Sequence, residues 1–140
     1  MNVLVDTSIW SLALRRNAAP LTRETVELTE LIREGRVAMI GAVRQELLSG
    51  IRNDKQFGQL REKLRAFPDL ELDEADYEEA AECFNRCRAV GLQGSNTDFL
   101  ISAVTIRRQM ALFTTDQDFK GFAKVLGLEF HHLRRRKDHQ

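Results

Sequence analysis

Four acidic residues stand where a phosphate-handling metal site can be built: Asp6, Glu46, Asp98 and Asp116. Asp6 follows the apolar run Asn2 to Val5, and Asp116 follows the run Ala111 to Thr114. In open α/β sheets, ligands bind outside the carboxyl ends of strands, near the point where strand order reverses. If these two runs are neighbouring strands, both carboxylates face one crevice. Unpaired carboxylates gathered there repel one another, and a hard divalent cation relieves that repulsion. An all-oxygen donor set suits Mg²⁺ or Mn²⁺. The chemistry such a site supports is hydrolysis of a phosphodiester. No Ser/His/Asp or Cys/His set competes with it, because the three histidines lie at the end of the chain, at 131, 132 and 139.

Each acid also has a structural reading. Asp6 and Asp116 can cap the helices that follow them. Ser95 with Asp98, and Thr115 with Asp118, have the spacing of capping boxes. Glu46 can be an exposed helix residue. Four separate caps would imitate a site, but they give no reason for acids after two separate strands.

The elements that must position these side chains alternate. Strands are expected at Asn2 to Val5, Val37 to Ile40, weakly at Leu70 to Leu72, at Ala111 to Thr114 and at Leu128 to Leu133. Helices are expected from Thr7 to Arg16, Leu21 to Arg33, Ala42 to Ile51, Asp54 to Phe67, residue 73 to about 89, Phe99 to Arg108, and Gln117 to Leu126. Gly35 stops the second helix and Pro68 the fourth. Strands alternating with helices imply a parallel sheet covered on both faces. Asp98 opens a largely apolar helix, on one side with Ser102 and Thr105. Beside Glu46, small residues at Ala42, Ser49 and Gly50 leave space. Ile9 and Trp10 read as core.

Bulk properties fit one folded domain. The chain has 140 residues, 43% hydrophobic and 30% charged, with a formal net charge of zero. No overall field draws it to nucleic acid, so such a partner must be held by local patches. Candidate patches are Arg15, Arg16, Arg44 and Arg52 beside the crevice and the run Arg134 to Lys137. The acids from Glu71 to Glu82 include some that suit a helix N-terminus and are assigned no function. No segment is apolar and long enough for a bilayer. Met1 to Ser8 lacks the pattern of a secretory signal. Cys83 and Cys87 read as reduced, partly buried thiols, and the expected compartment is the cytoplasm.

Four segments, MNVLVDTSIW, GAVRQELLSG, GSNTDFLISAV and LFTTDQDF, resemble in order the acidic motifs of PIN-domain proteins. The overall likeness is to bacterial VapC-type toxins of toxin–antitoxin pairs, from Met1 to about Leu133. The resemblance implies a three-layer α/β/α fold with a central, mostly parallel sheet of about five strands. It implies a single nuclease domain over residues 1–133 and a basic tail over 134–140. It also implies a Mg²⁺- or Mn²⁺-dependent endoribonuclease with Asp6, Glu46, Asp98 and Asp116 as metal-binding acids. An RNA substrate, a cognate antitoxin and a homodimer are the expected partners. Thr7 and Thr115 fall where the family places small hydroxyl residues, and Asp118 matches a further acid often present. Asn96 and Thr97 replace apolar or proline residues common before the third acid and bear on where that helix starts.

Three other readings stand beside this one. A phosphoacceptor signalling domain pairs two acids after its first strand and a lysine after its last. Here Asp6 is followed by Thr7 and Ser8, and no such lysine is evident. A protein of the same fold that binds RNA or a partner without catalysis needs no full acidic set. A DNA-directed nuclease shares the same chemistry, which does not require a 2′-hydroxyl.

Overall fold

Three short apolar runs become parallel strands because each is buried on both faces and followed by a helix that returns the chain. The computed structural model describes residues 1–14 and 22–134. Its elements are β1 (Val3–Val5), α1 (Thr7–Ala13), α2 (Arg23–Arg33), β2 (Val37–Ala38), α3 (Gly41–Leu48) and α4 (Asp54–Leu64). They continue with α5 (Glu74–Ala89), α6 (Asn96–Arg107), β3 (Ala111–Phe113) and α7 (Asp118–Leu126). Arg15, Arg16, Leu21, Arg135, Arg136 and Lys137 lie outside the described residues.

The sheet order is β2-β1-β3, all parallel, with Leu4 opposite Ala38 on one side and Leu112 on the other. Every residue of β1 and β3 is buried. Helices therefore cover both faces, as a parallel sheet requires. By mutual contact the helices form two groups, α1 to α4 and α5 to α7.

The sheet has three strands where about five were expected. The other two segments occupy the expected edges but pair through single parallel bridges, Met39 with Asp69 and Leu112 with Phe130. At the first edge Arg44 ties the chain down, donating to Asp69 Oδ1 at 3.0 Å, to the Leu64 carbonyl at 3.0 Å and to the Phe67 carbonyl. At the second, His131 and Arg134 turn onto Glu27, at 2.7 and 2.9 Å. These side-chain ties hold the two edge segments beside the sheet at their bridges.

Helix ends follow local chemistry. Gly35 adopts φ +68° just beyond α2, a left-handed conformation that favours glycine. Helix α6 begins at Asn96, three residues before the expected start, because Ser95 caps it. The loop leading there runs tight against aromatic core. A Cβ on Gly94 would stand 2.7 Å from Phe122 Cζ, so only glycine fits. Phe99 and Phe122 stack with centroids 4.8 Å apart, and Phe84 meets Phe99 edge-on at 5.3 Å. Ile9 and Trp10 are buried, as expected.

Among the acids of Glu71 to Glu82, Asp73 and Asp76 close a capping box at the start of α5, and Asp76 has a second task. Asp76 is fully buried and receives Arg107 at 3.0 Å and Arg108 at 2.5 and 2.9 Å, which fastens the start of α5 to the end of α6. Arg108 beside it holds its carboxyl far below the usual aspartate range, against the opposing effect of burial. Cys83 and Cys87 are both free and buried. Burial, with Glu79 nearby, pushes the Cys83 thiol up to about 11, and burial also raises Cys87.

Candidate active site

The carboxyl ends of β1 and β3 lie side by side, since Val5 pairs with Phe113 and the Asp6 N–H donates to the Phe113 carbonyl at 2.9 Å. Asp6 and the segment Thr114 to Asp116 thus leave the sheet together, at the point where neighbours lie on both sides of β1. Asp6 is 5% exposed and occupies the N-cap position of α1 without making a side-chain cap. Its carboxylate is held by two hydroxyls instead. Ser8 Oγ donates to Asp6 Oδ2 at 2.8 Å, and Thr114 Oγ1 donates to the same oxygen at 2.7 Å.

Those hydroxyls also fix the β3 end. Thr114 Oγ1 accepts the Asp116 N–H at 2.9 Å, and Ser8 Oγ accepts the Thr115 N–H at 3.1 Å. The hydroxyl expected at position 115 is therefore supplied by Thr114 and Ser8. The spacing in TTD and DTS is visible in the sequence, but which of two adjacent hydroxyls turns inward depends on the strand pleat. Thr7 takes a separate part. Its Oγ1 donates to Glu46 Oε1 at 2.6 Å, drawing the exposed Glu46 of α3 toward the residue next to Asp6.

Asp98 comes from the first turn of α6. It closes a capping box with Ser95, whose N–H donates to Asp98 Oδ2 at 3.0 Å while the Asp98 N–H donates to Ser95 Oγ at 3.0 Å. Burial raises the Asp98 carboxyl above its ordinary range, the Ser95 hydrogen bonds oppose this, and the charges of Asp116 and Asp6 raise it further. Three acids from three separate elements therefore share one field. Asp116 in turn accepts the Asp118 N–H on Oδ1 at 3.0 Å. The capping reading thus holds for Asp98 and fails for Asp6, while Asp116 stands one residue before the N-cap of α7. Asp118 is exposed, and its proposed box with Thr115 is not formed, because Gln117 occupies the N-cap position of α7.

The donor set is oxygen throughout, which suits a hard cation. Among the described residues, however, no three His, Cys, Asp or Glu side chains stand close enough to hold an ion as placed. Cation binding would have to draw the carboxylates inward, and the Ser95 cap on Asp98 competes with that.

Of the basic residues expected beside the crevice, Arg44 is committed to Asp69 and two carbonyls and is not free for phosphate. Arg52 is exposed in the turn between α3 and α4. Arg134 does not trail as free tail. It donates to Glu27 Oε2 at 2.9 Å and to Glu34 at 2.5 and 2.6 Å.

An α/β chain with acids converging at the switch point of a parallel sheet has the architecture of a phosphate-handling hydrolytic domain. Residues 3–125 match the PIN domain family, and the chain belongs to that family. Its relatives include Ribonuclease VapC11 of Mycobacterium tuberculosis and a VapC ribonuclease of Mycobacterium bovis. Each is 30% identical over 131 residues, covering 91% of this chain and 96% of the relative. Among solved structures, FitAcB from Neisseria gonorrhoeae superposes with a TM-score of 0.74 at 23% identity, over 93% of this chain and 96% of that one. VapBC2 from Rickettsia felis, bound to a DNA fragment from their promoter, gives a TM-score of 0.75 at 20% identity, over 94% and 98% of the two chains. These two likenesses concern the fold. Among the described residues, no helix is long and apolar enough to cross a membrane.

Proposed function

We propose that this chain is a metal-dependent endoribonuclease, the toxin of a toxin–antitoxin pair, acting in the cytoplasm. The observation that carries the reading is geometric: β1 and β3 end side by side, and Thr114 joins the Asp6 carboxylate to the Asp116 backbone at the carboxyl edge of the sheet. The relatives named ribonucleases, at 30% identity over nearly the whole chain, support the same activity. Asp6, Asp98 and Asp116 would hold Mg²⁺ or Mn²⁺, with Glu46 at the margin through Thr7. When bound, such an ion supplies Lewis acidity for phosphodiester hydrolysis.

The protein's own groups prepare the site. Ser8 and Thr114 fix the rotamer of Asp6, and Thr114 holds the Asp116 backbone in register with it. Thr7 orients Glu46. The likeness to the VapC relatives supports an antitoxin and a second copy of the chain as partners.

The test is cleavage of RNA by purified protein with Mg²⁺ or Mn²⁺, with excess EDTA, and in the variants Asp6→Asn and Asp98→Asn. Cleavage should require the metal and vanish in both variants while their circular dichroism stays native. Persistence in EDTA or in either variant would overturn the assignment. No metal binding in a calorimetric titration would instead favour a non-catalytic role in binding RNA or a partner.

A further inference from the structure

Helices α5 and α6 leave a recess of about 430 Å³ whose lining, among the described residues, carries no charged side chain. That is unusual for a chain in which 30% of residues are charged. Tyr77 and Phe84 supply aromatic faces, Asn85 and Asn96 supply amides, and Thr97 and Leu100 complete the wall. Tyr77 is 56% exposed, and both asparagines are exposed. Phe84 is already braced edge-on by Phe99 at 5.3 Å.

We propose that this recess seats one unpaired nucleobase of the RNA strand cut at the acidic crevice. The inference rests on the ribonuclease reading and adds to it a determinant of sequence preference. Single-stranded RNA is recognised by stacking unstacked bases on aromatic side chains and by hydrogen bonds to their edges. Tyr77 and Phe84 offer the first contact, and the two amides, each both donor and acceptor, offer the second. A neutral lining suits a neutral base and would not suit a phosphate.

The position fits as well. Thr97 directly precedes Asp98. On a helix of 3.6 residues per turn, Leu100 and Asp98 point ~160° apart. A strand held at the carboxylates therefore reaches the recess by crossing the first turn of α6, where Asn96 and Thr97 stand. Recess and crevice share that turn as their common wall.

The test uses the whole protein and two readouts. A randomised single-stranded RNA pool is cut with Mn²⁺ and the ends are sequenced, for wild type, Asn85→Ala, Asn96→Ala and Tyr77→Ala. In parallel, RNA containing thiouridine is photocrosslinked to each protein in EDTA, and the labelled peptide is read by mass spectrometry. The wild type should show a base bias at one fixed position from the cut and a crosslink within α5. Both signals should fall about tenfold in the variants, the scale of one stacking contact, while total cleavage of the pool persists. A bias and crosslink untouched by the substitutions, or the absence of both in the wild type, would overturn the proposal.

Sedimentation of the same variants separates the other occupant. Loss of a dimer in Tyr77→Ala, with base bias unchanged, would make this face a contact between copies and overturn the nucleobase site. Failure of the ribonuclease reading is distinct, since it shows as cleavage that survives Asp98→Asn.

Discussion

Thr114 Oγ1 donates to Asp6 Oδ2 at 2.7 Å and accepts the Asp116 N–H at 2.9 Å, so one hydroxyl joins two acids 110 positions apart in numbering, 116 against 6. Removing it frees the Asp6 rotamer and the turn carrying Asp116 together. Thr114→Val should reduce RNA cleavage and metal affinity by ~10- to 100-fold, the scale of lost outer-shell support. Thr114→Ser should restore most of both. Metal titrations of the three proteins check this, and equal affinity in Thr114→Val would remove Thr114 from the site.

Asp98 carries a raised pKa through burial and through its acidic neighbours. The folded chain thus holds its proton more tightly than the unfolded one. Stability is then full below the ordinary aspartate value and declines as pH rises toward the folded value. Without metal, Asp98→Asn should melt a few degrees above wild type at neutral pH, since asparagine keeps an acceptor for Ser95 without the charge. Added Mn²⁺ should raise the melting temperature of wild type and leave the variant unmoved. Scanning calorimetry with and without metal reads both effects.

Asp76 has the opposite sign. Its folded pKa is depressed by Arg108, so its contribution is complete above the ordinary aspartate value and is lost as pH falls below it. Asp76→Ala should destabilise by about 3 kcal/mol, because Arg107 and Arg108 lose a buried partner. Urea melts from neutral to acid pH should show the wild-type and variant curves converging at the acid end. A constant difference across that range would mean that Asp76 acts through packing alone.

Arg134 bridges the buried Glu27 and the more exposed Glu34. Burial pushes the Glu27 carboxyl up, but His131 and Arg134 together hold it below its usual range; Arg134, with Arg36, brings Glu34 down to about 2. Arg134→Ala should destabilise by about 2 kcal/mol, chiefly through Glu27 left without its guanidinium. Arg134→Lys should recover only part, as an ammonium cannot fork across two acids. Urea denaturation of the three proteins gives the ranking.

Much of this site can be read before folding is known, and the reason differs by residue. Asp6 and Asp116 are legible because an acid just past an apolar run marks a strand end. Asp98 is legible through the resemblance of GSNTDFLISAV to a family motif, while its capping box with Ser95 is the structural reading, and that box forms. Ser8 and Thr114 are not, because each has an adjacent hydroxyl, Thr7 or Thr115, with the same local signal. Which one turns inward is settled by pairing between strands far apart in the chain. Arg44 and Arg134 show the same gap for charge. A lone arginine beside a crevice looks available to phosphate until Asp69 or Glu27 is found within reach. The edge segments are legible in place but not in extent, since each pairs through one parallel bridge only.

Strand β1 lies between β2 and β3, so its site-bearing end acquires its second neighbour only from the last third of the chain. A polypeptide emerging from the ribosome carries Asp6 almost at once, yet Thr114 lies 108 residues later. Until that stretch leaves the exit tunnel, no hydroxyl from β3 orients Asp6, and Asp116 is missing. Assembly of this end of the sheet therefore waits on a long-range pairing, and no early stretch of the sequence can orient Asp6 in this way by itself.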